Sequence, residues 1–365
     1  MDVDARVEAW ASLQRVEGLR PRAFVDLLKA FGGPVEIRTA SRTSLARVIP
    51  AETADAIRRG AEPAALERTL KWLAADGHWL VAWDDAHYPA ALLALPDPPP
   101  VFCYAGRREL LNQHAIAIVG SRNATPRGIE HAEAFATALS DAGLTILSGL
   151  ALGIDSGAHR GGLAGSAGSI AVVGTGLDQV YPPSNRPLVK RLASEGGVLS
   201  EFPLGTPPVK ANFPRRNRIL SGLSRGVLVV EATLASGSLI TARFAADQGR
   251  EVFAIPGSID SPFSKGCHRL IRDGAKLVET AADVLEELGL GSAEPKRTAL
   301  PHAGADANDP AGRVLAALGH DPAGVDVVAA RTGLPADVVT ATLVELELGG
   351  RVALLPGGRY QRSGA

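Results

Sequence analysis

Between residues 115 and 255, six short apolar runs alternate with helical patterns, and this alternation constrains the fold more than any other feature of the chain. The runs are Ile116 to Val119, Leu144 to Leu147, Ile170 to Val173, Gly197 to Leu199, Val227 to Val230 and Glu251 to Ile255. Helical spacing fills most of the gaps, as in Ile129 to Ala142, Ser184 to Ala193 and Leu239 to Gln248. Apolar runs this short suit buried strands, and helices between them suit parallel crossovers. The expected fold class is therefore α/β, with an extended Rossmann-like, mostly parallel sheet covered on both faces.

The flanks read differently. From Val7 to about Ala75 apolar residues recur at helical spacing, as in Ala23, Leu27, Leu28 and Phe31, with Gly32 and Gly33 as a stop. The segment Glu17 to Arg22 is similar to the turn of a helix-hairpin-helix or SAM-like module, but only Gly18 is present and Arg20 stands where a second glycine would be. A structural helical cap is expected there rather than a DNA clamp. Gly, Ala, Pro and Asp dominate residues 291–312, which reads as a linker. Beyond it, Val314 to Leu318, Val325 to Arg331 and Pro335 to Leu348 predict three helices, and Arg351 to Leu355 with Arg359 to Gln361 a hairpin. That order is winged-helix-like. The third helix carries Asp337, Glu345 and Glu347 and no Lys or Arg, so a protein-contact module is favoured over a duplex reader. The expected domains are 1–80, 81–290 and 312–365, with 291–311 as linker.

Ligands of open α/β sheets sit beyond the carboxyl ends of the strands, and here those ends are rich in Gly and small hydroxyl residues. Gly120, Ser121 and Arg122 follow one strand, Ser148 and Gly149 the next, then Gly174 and Gly176, and later Gly237 and Ser238. Such loops let backbone N–H groups approach phosphate oxygens. The chain has 38 basic and 39 acidic residues, net −1, so affinity for anions must be local. One segment supplies it. Leu204 to Val230 holds Lys210, Arg215, Arg216, Arg218 and Arg225 with no acid, and sets Phe213 and Asn217 among them. Cations next to an exposed ring suit a phosphate backbone with unpaired bases. The alternative is a solvated first turn of an amphipathic helix, with Ile219, Leu220 and Leu223 facing the core.

Other chemistries find less support. Two cysteines, Cys103 and Cys267, make no disulfide framework and point to a reducing cytosol; no apolar run approaches a bilayer span; scattered His gives no metal spacing. Neither a cofactor nor a metal is expected. Gly174 and Gly176 lack the third glycine of a nicotinamide fingerprint, and no P-loop occurs. Gly222 to Gly226 matches GxSxG but lies between a helix and a following strand, the reverse of a nucleophile elbow. Asp155 and His159 stand one helical turn apart and could form an acid and base pair. Without a nucleophile beside them, a helix cap and a packed or anion-binding histidine are preferred.

The motif series AIVGSRNAT, SGLALGIDSGAHRGGL, AVVGTGLDQVYPPSN, LSEFPLG, FPRRNRILSGLSRGVLVVEA, SGSLITARFAADQGREVFAIPG and GCHRLIRDGAKLV runs from Ala117 to Val278 and resembles the bacterial DNA-processing protein A family, also called DprA or Smf. The resemblance implies a non-enzymatic, cytoplasmic single-stranded DNA binder that dimerises, protects incoming strands and loads the recombinase RecA in natural transformation or recombination, with single-strand-binding protein as a further partner. By position it implies that Arg122 holds a phosphate, that Lys210 flanks a base-stacking Phe213, and that Arg216, Asn217 and Arg218 complete the pocket. The dimer surface would include Leu270, Ile271 and Leu277. Ala167, Gly168 and Ser169 stand where many members carry a basic residue. The rival reading is a nucleotide phosphoribohydrolase on a related sheet. Its PGGxGTxxE loop supplies a glutamate, whereas Ser236 to Ala246 holds no acid. A third reading, an interaction scaffold with a vestigial pocket, predicts protein partners without nucleic-acid affinity.

Overall fold

A computed structural model of the chain describes residues 5–291, 309–319 and 322–363. Six helices come first: α1 (Ala5–Gln14), α2 (Pro21–Phe31), α3 (Pro34–Thr39), α4 (Arg42–Leu45), α5 (Ala51–Arg59) and α6 (Pro63–Leu73). The α2 stripe buries Phe24, Val25, Leu27 and Leu28, and Gly32 ends the helix at φ 89°, a conformation that favours glycine. The core of these helices also takes in Ala82 and Val101, so it closes against the sheet rather than on itself alone. Gln14 Nε2 donates to the Glu201 carbonyl at 3.3 Å and Arg15 to the Leu204 carbonyl at 3.0 Å, fixing the helical unit to the sheet domain.

The sheet domain runs β1 (His78–Ala82), α7 (Ala90–Leu93), β2 (Val101–Gly106), β3 (Ala115–Val119), α8 (Pro126–Asp141), β4 (Thr145–Ser148), α9 (Ile154–Ala164), β5 (Ser169–Val172), α10 (Arg186–Glu195) and β6 (Gly197–Ser200). It continues with α11 (Asn212–Leu223), β7 (Gly226–Val229), α12 (Ser238–Asp247), β8 (Glu251–Ala254), α13 (Lys265–Arg272), β9 (Lys276–Leu277) and α14 (Ala281–Glu287). The strands form one nine-stranded sheet in the order β1-β2-β6-β5-β4-β3-β7-β8-β9. From β6 to β9 all neighbours are parallel; β2 joins β6, and β1 joins β2, antiparallel. The six expected runs all form parallel strands. β1, β2 and the two-residue β9 were not expected, and β1 straddles residue 80.

Alternation in β3 divides the core. Ala117 and Val119 face the layer of α11 and α12, while Ile116 and Ile118 face α8 and α9. α8 and α9 approach closely because α9 presents Gly157 and Gly161. A Cβ on Gly161 would collide with the Glu133 carbonyl and Ala136, and one on Gly157 would come within 2.9 Å of the Ile129 carbonyl.

The last unit contains α15 (Pro310–Leu318), β10 (Ala323–Gly324), α16 (Val325–Thr332), α17 (Ala336–Leu348), β11 (Val352–Leu355) and β12 (Arg359–Arg362). Three helices pack on a three-stranded sheet ordered β10-β12-β11, which is a winged helix. The expected linker lies mostly outside the described residues. Among the described residues no single helix is long and apolar enough to cross a membrane.

Candidate functional site

Chain order reverses direction beside β3: β4, β5 and β6 build outward on one side, β7, β8 and β9 on the other. A crevice must open between the carboxyl ends of β3 and β7. A cleft of about 700 Å³ occupies it, lined by the Gly120–Asn123 loop, by Gly149, Ala151 and Asp155, by Tyr181, by Lys210 and the first turns of α11, and by the loop entering α12.

The walls are held by specific contacts. Ser121 N–H donates to the Glu231 carbonyl at 2.7 Å, tying the end of β3 to the end of β7. The Glu231 carboxylate accepts from Thr125 N–H at 2.9 Å and Thr125 Oγ1 at 2.6 Å, so the loop bearing Arg122 is stapled at both ends. Burial raises the Glu231 carboxyl above the usual range. Gly120 leaves no room for a side chain: a Cβ would lie 2.6 Å from Ile154 and 2.8 Å from the Glu231 carbonyl.

Phe213 sits in the opposite wall. Asn212 Nδ2 donates to the Gly174 carbonyl at 3.1 Å, and a Cβ on Gly174 would stand 3.2 Å from the Phe213 ring. The Arg122 guanidinium lies 5.7 Å from the Phe213 centroid, and Tyr181 meets the same ring at 5.7 Å and 46°. Arg122, Lys210 and Tyr181 are exposed. Neither Arg122 nor Lys210 has an ion-pair partner among the described residues. Beneath them Arg216 is buried, donates to the Val172 carbonyl and faces Asp155. Burial lowers the Arg216 pKa to about 10 and raises that of Asp155, whose Oδ2 accepts from Ala151 N–H at 3.1 Å. Among the described residues three cations and one carboxylate line the cleft, an excess of two positive charges.

Of the residues singled out from sequence, Gly120, Ser121, Arg122, Gly149, Lys210, Phe213, Arg216, Asn217, Gly237 and Ser238 meet in this cleft. Ser148, Gly174, Gly176, Arg215 and Arg218 do not line it. Ser148 is buried and donates to the Ile118 carbonyl at 2.6 Å. Gly174 backs Phe213, and a Cβ on Gly176 would strike Asp178, Pro203 and Gly205. Arg218 is buried in an ion pair with Glu201 at 2.6 Å and with Asp97 at 3.0 Å, while half-exposed Arg215 reaches Glu201 at 3.3 Å and Phe202 at 5.2 Å. The solvated-helix alternative is corrected too, because Arg216 and Arg218 are buried; Ile219, Leu220 and Leu223 do face the core.

Asp155 is not a helix cap, since it reaches back into the loop before α9. His159 is fully buried, its Nδ1 2.8 Å from Ser169 Oγ, so the two make no acid and base pair at the cleft. Leu270 and Ile271 are partly buried against the core, whereas Leu277 is 45% exposed on the edge strand β9. Sequence reasoning missed Tyr181, Ile240 and Phe263 as lining residues. Tyr181 lay within the GTGLDQVYPPSN stretch; nothing in the pattern around Phe263 marks it.

The fold and cleft define a doubly wound α/β protein whose switch-point groove pairs cations with a partly exposed aromatic wall. Residues 79–289 match the family model of DNA recombination-mediator protein A, and residues 298–358 that of the DprA winged helix domain. The chain belongs to this DprA/Smf family. It is 45% identical to protein Smf of Escherichia coli over 298 residues, covering 80% of each chain. It resembles the X-ray structure of DNA processing protein A from Streptococcus pneumoniae, with a TM-score of 0.67, 37% identity, and coverage of 75% of this chain and 95% of that one. A structure describing the single-stranded DNA binding mode of DNA processing protein A from Helicobacter pylori matches with a TM-score of 0.53 and 30% identity, covering 58% of this chain and 95% of that one.

Proposed function

We propose that this protein binds single-stranded DNA in the switch-point cleft, acts as a homodimer in the cytosol, and passes strands to RecA during transformation or recombination, with single-strand-binding protein as a further partner. The observation that carries the reading is the Phe213 ring, reached by Arg122 and Tyr181 in a cleft with two unpaired exposed cations, Arg122 and Lys210. A ring accepts any base face, and free cations accept successive phosphates. The relative from Helicobacter pylori, described as binding single-stranded DNA, supports the same ligand.

Binding rather than catalysis is proposed. Asp155, the carboxylate lining the cleft, is engaged by Ala151 N–H and Arg216. The phosphoribohydrolase alternative gains no acid from the α12 loop, whose lining residues are Thr233, Ala235, Ser236, Gly237 and Ser238. Free base released from nucleoside monophosphates by the purified protein would overturn the non-enzymatic reading.

Fluorescence anisotropy with oligo-dT tests the site. Phe213→Ala should cost about 1–3 kcal/mol per stacked base. Arg122→Ala should flatten the logarithmic salt slope by about 0.7 for one lost phosphate contact. Variants that bind as tightly as wild type, with the same slope, would refute it. The RecA step predicts faster RecA filament growth on strands coated with single-strand-binding protein; an unchanged rate would remove that step. The winged helix is proposed as a protein-contact unit, since α17 carries three acids and leaves Leu348 85% exposed.

A further inference from the structure

Beyond Tyr181 the chain runs from the rim of the cleft into α10. Tyr181 and Pro182 line a side lobe together with Leu150 and Ala151. Buried Asn185, three residues on, donates its Nδ2 to the Leu150 carbonyl at 2.9 Å and to the Ala151 carbonyl at 3.3 Å. The turn Pro183–Asn185 is thus bonded to the loop that forms the lobe, and α10 begins at the next residue.

The first exposed face of α10 carries Arg186 and Lys190. Among the described residues neither side chain has an ion pair or a hydrogen bond. The carboxylate at the far end of the helix, Glu195, is taken by Arg191 at 2.8 Å. Two local costs accompany the arrangement. Like charges four residues apart on a helix repel, and a cation in the first turn faces the positive end of the helix dipole. No acid in that turn offsets either cost. Residues four apart on a helix have Cβ atoms about 5–6 Å apart, so one strand can meet both cations.

We propose that Arg186 and Lys190 form a phosphate track that extends the cleft beyond Tyr181 and holds the backbone of a single strand leaving it. The inference rests on the binding function proposed above. It makes the bound strand longer than the cleft, with bases read at Phe213 and only backbone held along α10.

The test compares wild type, the double variant Arg186→Ala/Lys190→Ala, and Arg191→Ala on oligo-dT of about 4 and about 16 nucleotides, the span of site sizes in single-strand grooves. The double variant should bind the short strand as wild type does. It should lose affinity for the long strand and flatten that strand's logarithmic salt slope by about 1.4, or 0.7 for each of two phosphates. Its melting temperature should stay level or rise, because a repulsive pair is removed. Arg191→Ala, whose cation is already paired, should leave the slope unchanged. The track is overturned if the double variant matches wild type on the long strand, or if Arg191→Ala loses as much. Wild-type binding with a loss in Phe213→Ala alone would sink the track and leave the cleft reading standing; no wild-type binding to either strand would sink both.

Discussion

Within the basic segment from Lys210 to Arg218, cations close in sequence have opposite fates. Arg218 is enclosed with Glu201, and a buried charge stripped of its partner is costly. Arg218 would keep only the half-exposed Asp97, so Glu201→Ala should lower unfolding free energy by up to about 3–5 kcal/mol in denaturant melts, whereas Lys210→Ala should leave it within about 0.5 kcal/mol. Equal, small effects would refute the division between structural and ligand-facing cations. The sequence marked this cluster as basic but could not sort it. Charge is visible in a residue's identity, but which side of a helix meets Glu201 is set by tertiary packing. His159 carries a second residue-scale consequence. Burial, then the Arg216 charge, lowers its pKa from 6.5 to about 3, so the unfolded chain takes up this proton first. Its contribution is fully present above about pH 6.5 and is lost as pH falls towards 3, with a slope of up to about 1.4 kcal/mol per unit. His159→Asn should flatten stability against pH between 6.5 and 5 relative to wild type; an unchanged slope would contradict a neutral buried imidazole.

Elements were legible where local chemistry and tertiary context agree. The six parallel strands are apolar on both faces, so runs such as Ala115–Val119 announce themselves. β1 and β2 are flanking antiparallel strands; β1 carries His78 and Trp79 half-exposed, which masks its run, and β9 is two residues long and exposed. The glycines of α9 belong to the GIDSGAHRGGL motif, yet their work is contact with α8. Gly161→Ala should destabilise by about 1–3 kcal/mol through overpacking, measured by denaturant unfolding. A stability equal to wild type would show that the two helices can separate without cost. Phe263 escaped because the loop that brings it to the cleft has no periodicity to read.

At the scale of the molecule, Leu277 offers a site where assembly separates from folding. It lies exposed on edge strand β9, so Leu277→Asp should leave the melt nearly unchanged while shifting the proposed dimer towards monomer in sedimentation. Wild type sedimenting as a monomer would remove the dimer proposal. The most direct measurement is an anisotropy titration of wild type and Phe213→Ala with matched single-stranded and duplex DNA across a salt series. The cleft predicts tighter binding of the single strand, a linear fall of log affinity with log salt, and a loss of about 1–3 kcal/mol per stacked base in the variant. Equal affinity for both forms, unmoved by Phe213→Ala, would contradict it.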